Sequence, residues 1–126
     1  MPKQIIFTEN APAPIGPYSQ AVLINNTLYC SGQIALDPKT GNMIQDNISL
    51  ETEMVMHNID AILHAANMSF ENVVKVTIFI TDMNNFATIN QVYGTYFQTT
   101  PPARETVQVS KLPKNGNVEI SVIAVS

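Results

Sequence analysis

Pro102-Ala103-Arg104-Glu105-Thr106-Val107-Gln108-Val109 is followed by Lys111-Leu112-Pro113-Lys114-Asn115-Gly116 and then by Asn117-Val118-Glu119-Ile120. Two extended segments flank a turn rich in proline, asparagine and glycine, and both alternate with a period of two. Val107 and Val109 fall on one side, with Arg104, Thr106 and Gln108 on the other. Val118, Ile120 and Val122 oppose Glu119 and Ser121. The pattern predicts two strands, each with one apolar face and one face on which a charge sits among neutral groups. Arg104 is the only arginine in the chain. A planar guanidinium grips a carboxylate through two parallel hydrogen bonds. A carboxylate flanked by Val118 and Ile120 is partly desolvated, which moves its pKa toward values useful for proton transfer. Arg104 and Glu119 are the candidate working pair.

Upstream of this stretch, Lys3 to Phe7 reads as a short strand. In Glu9 to Pro17, three prolines and a glycine forbid regular structure, so a loop held in one shape is expected. Ser19 to Asn25 and Thr27 to Ile34 read as a hairpin about Asn25-Asn26, since asparagine tolerates positive φ. Ser31-Gly32 interrupts the second arm and predicts a bulge or a close backbone approach. Ser49 to Met68 reads as a helix capped by Ser49, with Glu51 and Glu53 suited to its positive end. Val55, Ile59, Ile62, Leu63 and Ala66 form its buried stripe, and Glu53, His57, Asp60, His64 and Asn67 its wet one. Val73 to Thr81 predicts a strand with Val74, Val76, Ile78 and Ile80 on one face. Asp82 to Asn85 caps a second helix from Phe86 to about Gln98, with Phe86, Ile89, Tyr93 and Phe97 inward.

This order predicts a single domain, 1–126, of α+β class: one mixed sheet with both helices on one face. The opposite face is expected to hold Arg104, Thr106, Glu119, Ser121, Thr77 and Phe79 beside Ile123 and Val125. No element remains to cover that blend, so copies of the chain are expected to cover each other there with cyclic symmetry. Charged residues make up 13% of the chain, about half the usual ~25%, which agrees with a surface partly buried in an oligomer. The net charge is −4 and the six basic residues are scattered, so there is no phosphate-binding stripe and nucleic acid is not expected as a partner. The amino terminus is too short and too polar beyond Phe7 for a secretory signal, and no apolar run approaches the ~18 residues of a membrane helix. A soluble, cytoplasmic protein is expected.

Each candidate has a plainer reading beside the functional one. Arg104 could be a surface or interface ion pair, and Glu119 an interfacial glutamate paired with Lys75 or Arg104. Tyr18 could be a core or interface aromatic. Ser31 has no histidine nearby in sequence to act as its base, and His57 and His64 lack a third ligand for a metal. Cys30, the single cysteine, reads as a small buried hydrophobe. Glu105 points away from Arg104 and reads as a solvated or interface charge.

Pro102-Ala103-Arg104, Val107-x-Val109-x-x-Leu112-Pro113 and Val118-Glu119-Ile120 together resemble the reactive-intermediate deaminase family, the RidA or YjgF type. Ile15-Gly16-Pro17-Tyr18-Ser19-Gln20, Ser31-Gly32-Gln33-Ile34, and Asp82-Met83-Asn84-Asn85-Phe86 with Asn90 and Tyr93 extend the resemblance over nearly the whole chain. It implies a fold similar to chorismate mutase of the Bacillus type and a homotrimer with clefts between subunits. The implied activity is hydrolysis of 2-imino acids (2-iminopropanoate and 2-iminobutanoate) to 2-oxo acids and ammonia, without cofactor or metal. Arg104 would hold the substrate carboxylate and Glu119 would activate water. Tyr18, Ser31, Gly32, Asn90 and Thr106 would line the substrate site, Thr106 through its backbone. Two positions depart from the family: Glu105 replaces a small residue, and Thr106 stands where cysteine is common. Two rival functions are a non-catalytic binder of 2-oxo or amino acids and an endoribonuclease or translation inhibitor. Glu119 separates the first rival from the enzyme, since a sensor does not need it.

Overall fold

A computed structural model describes residues 2–126. The strands are β1 (Gln4–Ile6), β2 (Ala21–Ile24), β3 (Thr27–Gln33), β4 (Val73–Ile80), β5 (Ala103–Gln108) and β6 (Val118–Val125). The helices are α1 (Ile48–Ala65) and α2 (Phe86–Gly94). Among the described residues one mixed sheet in the order β1-β2-β3-β6-β4-β5 holds all six strands, and only the β4–β5 pair is parallel. The two helices pack on one face, as the α+β reading predicts.

Helix α1 forms because Val55, Ile59, Ile62 and Leu63 recur on one side, and all four are fully buried. Burying such a side chain stabilises by about 1.5–3 kcal/mol, so this stripe dominates the attachment of α1 to the sheet. Its cap is Asn47, whose side chain accepts from the Leu50 N–H at 2.8 Å, and not Ser49. At its other end Asn67 adopts a left-handed φ of 58°, which lets the Met68 N–H close back on Leu63 O at 2.9 Å. Helix α2 stops at Gly94, four residues earlier than the pattern predicts. Asp82 caps the 3-10 turn Met83–Asn85 that leads into α2, and does not cap α2 itself.

Two strand assignments are corrected. The register of β4 against β6 slips between Val73 and Lys75. Val74 is the extra residue of this bulge and is 49% exposed, outside the apolar face it was expected to share. On β5 the alternation holds but the side is reversed. Arg104 and Thr106 lie opposite Val76 and Ile78, on the face beneath α2, while Glu105 and Val107 lie opposite Thr77 and Phe79 on the open face. Glu119 lies opposite Phe79 and so does occupy the open face.

Candidate functional site

Glu119 projects from β6 into a cleft of about 410 Å³ walled by Ile15, Tyr18, Ile34 and Pro113, with Ser31 and Gly32 as its floor. The floor exists because β3 breaks register with β6 between Cys30 and Gln33, the irregularity that Ser31-Gly32 predicts. Ser31 is tied to the two residues that lead into β2: its Oγ donates to Ser19 O at 2.6 Å and its N–H to Gln20 O at 2.9 Å. Gly32 lets the Glu119 carboxyl lie directly over the backbone. A Cβ there would stand 2.7 Å from Glu119 Oε2 and 2.8 Å from its carboxyl carbon, inside van der Waals contact. Burial pushes the Glu119 carboxyl above its ordinary pKa. Among the described residues the ion pair between formally charged side chains is Lys75–Glu105, and His64 Nδ1 lies 3.3 Å from Asp60 Oδ1. Within one protomer, then, Glu119 has neither of the partners that a purely structural role would supply.

Arg104 occupies a second site, at the outer edge of the sheet under α2. Its Nη1 donates to Asn90 Oδ1 at 2.6 Å, and its guanidinium lies 4.9 Å from the Tyr93 ring centre and 5.7 Å from that of Phe86. Such stacking is worth about 0.5–2 kcal/mol and fixes the plane of the fork. The guanidinium has five N–H donors, and this bond to Asn90 uses only one of them. Thr106 lies beside it with Oγ1 buried and unpartnered. The Val109 N–H donates to Ile80 O across the β4–β5 ladder. By two-residue alternation the Thr106 backbone therefore points off the free edge, where a bound molecule or a second chain can reach it. Burial raises the Tyr93 phenol pKa, and the Arg104 charge pulls it the other way.

The candidate residues thus separate into two groups. Tyr18, Ser31, Gly32 and Glu119 share the cleft on the open face, and Asn90, Arg104 and Thr106 share the edge site on the helix face. The expectation that Arg104 and Glu119 share one face is overturned. A larger groove of about 760 Å³ runs along the wet side of α1 past His57, Asp60, His64 and Lys39. It contains neither charge of the candidate pair, and its polar groups are solvated. Among the described residues no group of three or more His, Cys, Asp or Glu is placed to hold a metal ion. Among the described residues no helix is long and apolar enough to cross a membrane.

One buried charge escaped the sequence reading. Glu51 is wholly buried, and its carboxylate accepts from Asn117 N at 2.7 Å and Asn117 Nδ2 at 2.8 Å. Asn117 O also accepts from the Thr81 N–H at 3.2 Å. The start of β6, two residues before Glu119, is thereby pinned to both α1 and the end of β4. The dipole role expected of Glu51 is secondary to this clamp.

The layering defines a one-sheet α+β protein. A family model described as Endoribonuclease L-PSP matches residues 8–126. A RutC family protein of Pyrococcus horikoshii is 52% identical over 122 residues, covering 97% of each chain. A 2-iminobutanoate/2-iminopropanoate deaminase of Bos taurus is 50% identical over 123 residues, covering 98% of this chain and 90% of the bovine one. The crystal structure of E. coli TdcF with bound serine superposes with a TM-score of 0.93 at 44% identity, covering 98% of both chains. The chain belongs to the YjgF/RidA family.

Proposed function

We propose that the protein is a homotrimeric imine deaminase in which each working site is assembled from two copies, the Arg104 edge of one meeting the Glu119 cleft of the next. The substrates are 2-imino acids such as 2-iminopropanoate and 2-iminobutanoate, and the products are the 2-oxo acid and ammonia. The observation that carries this reading is Glu119: a half-buried carboxylate in an apolar cleft, without a cation in its own chain and seated over a glycine. A structural glutamate would be paired, and a mere binder of acids would not place a carboxylate there. The relatives named as deaminases at about this identity support the same activity.

The chemistry follows from the two groups. Free N–H groups of Arg104 and the Thr106 backbone hold the substrate carboxylate and fix C2. Glu119, ionised, takes a proton from water as the oxygen attacks C2, and the C=N bond becomes a single bond with its electron pair on nitrogen. The protonated carboxyl then returns that proton to nitrogen. The remaining proton of the new oxygen then passes through the Glu119 carboxylate to the same nitrogen, and the C–N bond breaks with its electron pair leaving on NH3 as the C=O bond forms. One water enters and one ammonia leaves, with no redox step.

The test generates the imine in situ with an amino-acid oxidase or a threonine dehydratase and follows its disappearance. Wild type is expected to accelerate hydrolysis, and Arg104→Ala and Glu119→Ala to lose that acceleration while keeping the assembly. A wild-type rate equal to that of buffer would leave the binder as the better reading.

A further inference from the structure

The amide of Gln20 is 2% exposed, yet every hydrogen bond it makes is to one loop. Its Oε1 accepts from Thr8 N at 2.8 Å, while Nε2 donates to Thr8 O at 3.0 Å, Pro12 O at 2.9 Å and Ala11 O at 3.3 Å. Two N–H bonds are thus shared among three carbonyls. The loop cannot replace them from within, because Pro12, Pro14 and Pro17 donate nothing and their rings fix φ. Beyond Pro12 the chain is stiff and self-bonded: Tyr18 N–H donates to Gly16 O at 2.8 Å, and Ile15 N–H to the Tyr18 hydroxyl at 3.4 Å. Where Ala11 and Pro12 sit therefore decides where Ile15 and Tyr18 stand. Behind those two side chains lies a recess of about 40 Å³, bounded by Pro12, Ala13, Leu36 and Gln20 itself. That is room for about one water. The backbone of Gln20 meanwhile accepts from Ser31 N–H, so the same residue holds the floor of the cleft.

Resting on the imine-hydrolysis reading, we propose that Gln20 is a positioning residue for substrate selection. By clasping the Thr8–Pro12 loop to the residue that leads into β2, it stands Ile15 and Tyr18 as a wall that closes the recess and restricts the cleft to short side chains. Gln20 touches neither the reacting carbon nor the carboxylate clamp. Its loss opens the recess into the cleft and leaves Arg104 and Glu119 in place.

The experiment compares wild type, Gln20→Ala and Gln20→Glu on imines made from alanine, 2-aminobutanoate, norvaline and norleucine by a broad-specificity amino-acid oxidase. Gln20→Glu keeps the side-chain volume and the bond from Thr8 N but loses the donated bonds. In both variants KM for the alanine-derived imine is expected to rise about tenfold, with kcat within about twofold. The kcat/KM ratio of the norleucine- to the alanine-derived imine is expected to shift about tenfold toward the longer chain, within the range a methylene-sized change of pocket gives. Folded variants that keep the wild-type ratio overturn the proposal, as does a proportional loss on every substrate. In wild type, exchange of the Thr8 amide hydrogen is expected to be as slow as that of the β2 amides; exchange at the rate of an unstructured chain overturns the clasp without any variant having to fold. If wild type hydrolyses none of these imines, the deaminase reading falls, and the wall is read by calorimetry with 2-oxobutanoate and 2-oxohexanoate. An equal change in affinity for both acids in Gln20→Glu then overturns this inference separately, and a selective gain for the longer acid upholds it.

Discussion

Arg104 and Glu119 lie on opposite faces of the same sheet: Arg104 is paired with Val76 beneath α2, and Glu119 is paired with Phe79 on the open side. No rotamer brings the two to one small molecule within a protomer. A mechanism that uses both therefore needs two chains.

This makes a mixing experiment decisive. Arg104→Ala and Glu119→Gln are each expected to be inactive as pure trimers. Unfolded together in equal amounts and refolded, they scramble, and each mixed cyclic trimer carries one site with both groups intact. About a quarter of wild-type activity is expected, from the symmetry of a three-membered ring. No recovery in trimers of verified mixed composition would show that the site is not shared. The wild-type mass in solution, about three times 13.8 kDa, is read in the same series by light scattering.

Arg104→Lys keeps the positive charge and loses both the planar fork and the stacking on Tyr93. The loss of one charge-assisted hydrogen bond, about 1.5–3 kcal/mol, corresponds to roughly a 10- to 150-fold fall in kcat/KM. Steady-state kinetics on the 2-iminobutanoate analogue checks it. A lysine variant as active as wild type would show that charge alone suffices.

Glu119 links activity to pH and activity to stability. Burial raises its pKa, and the base works only when ionised. The acidic limb of the pH–rate profile is therefore expected above the ordinary carboxylate range, with rate rising as pH climbs through it. Between the ordinary pKa and the raised one, the folded chain holds a proton that the unfolded chain has released, so stability falls as pH rises through that window. Glu119→Gln removes this slope. It is expected to be inactive and more stable than wild type at neutral pH, as read by thermal unfolding across a pH series.

Gly32→Ala tests the close approach over the cleft floor. The added methyl collides with the end of a flexible side chain and not with backbone, so Tm is expected to change little. The Glu119 carboxylate must move by about 1 Å, and displacements of that size cost on the order of 10²-fold in rate. An active Gly32→Ala protein would mean that the carboxylate position is not what limits turnover.

Glu51→Gln tests the clamp on β6. The amide retains one acceptor and presents N–H groups to a buried donor. About 1–3 kcal/mol of stability is expected to be lost, seen as a fall in Tm of roughly 4–10 °C. An unchanged Tm would mean that Asn117 finds equal partners elsewhere.

The chain reveals its strands through alternation, but alternation says only which residues oppose each other, not which side meets the core. On β5 the apolar valines suggested the core side. The structure instead puts Val107 on the open face at 42% exposure and places Arg104 under a helix. The missing signal lay in α2. Phe86, Asn90 and Tyr93 share one helical face, offering two rings and one oxygen to a guanidinium. Glu51 was misread for a similar reason: its first-turn position suggested the dipole, although it precedes Val55 and Ile59 at four-residue spacing on the buried stripe. The Gly32 bulge, the proline loop and the desolvated Glu119 were legible because each depends on local chemistry. The separation of the two half-sites was not, because it depends on the pairing of β4 with β5, residues far apart in the chain.

A site whose halves belong to different molecules has no competent form at extreme dilution. Below the concentration at which copies find one another, catalysis should fall faster than protein amount. Dosage then acts as a switch, and a single defective copy in a ring silences the sites on both sides of it if it lacks both groups. On the shared-site proposal, function is a property of the population of chains before it is a property of any one of them.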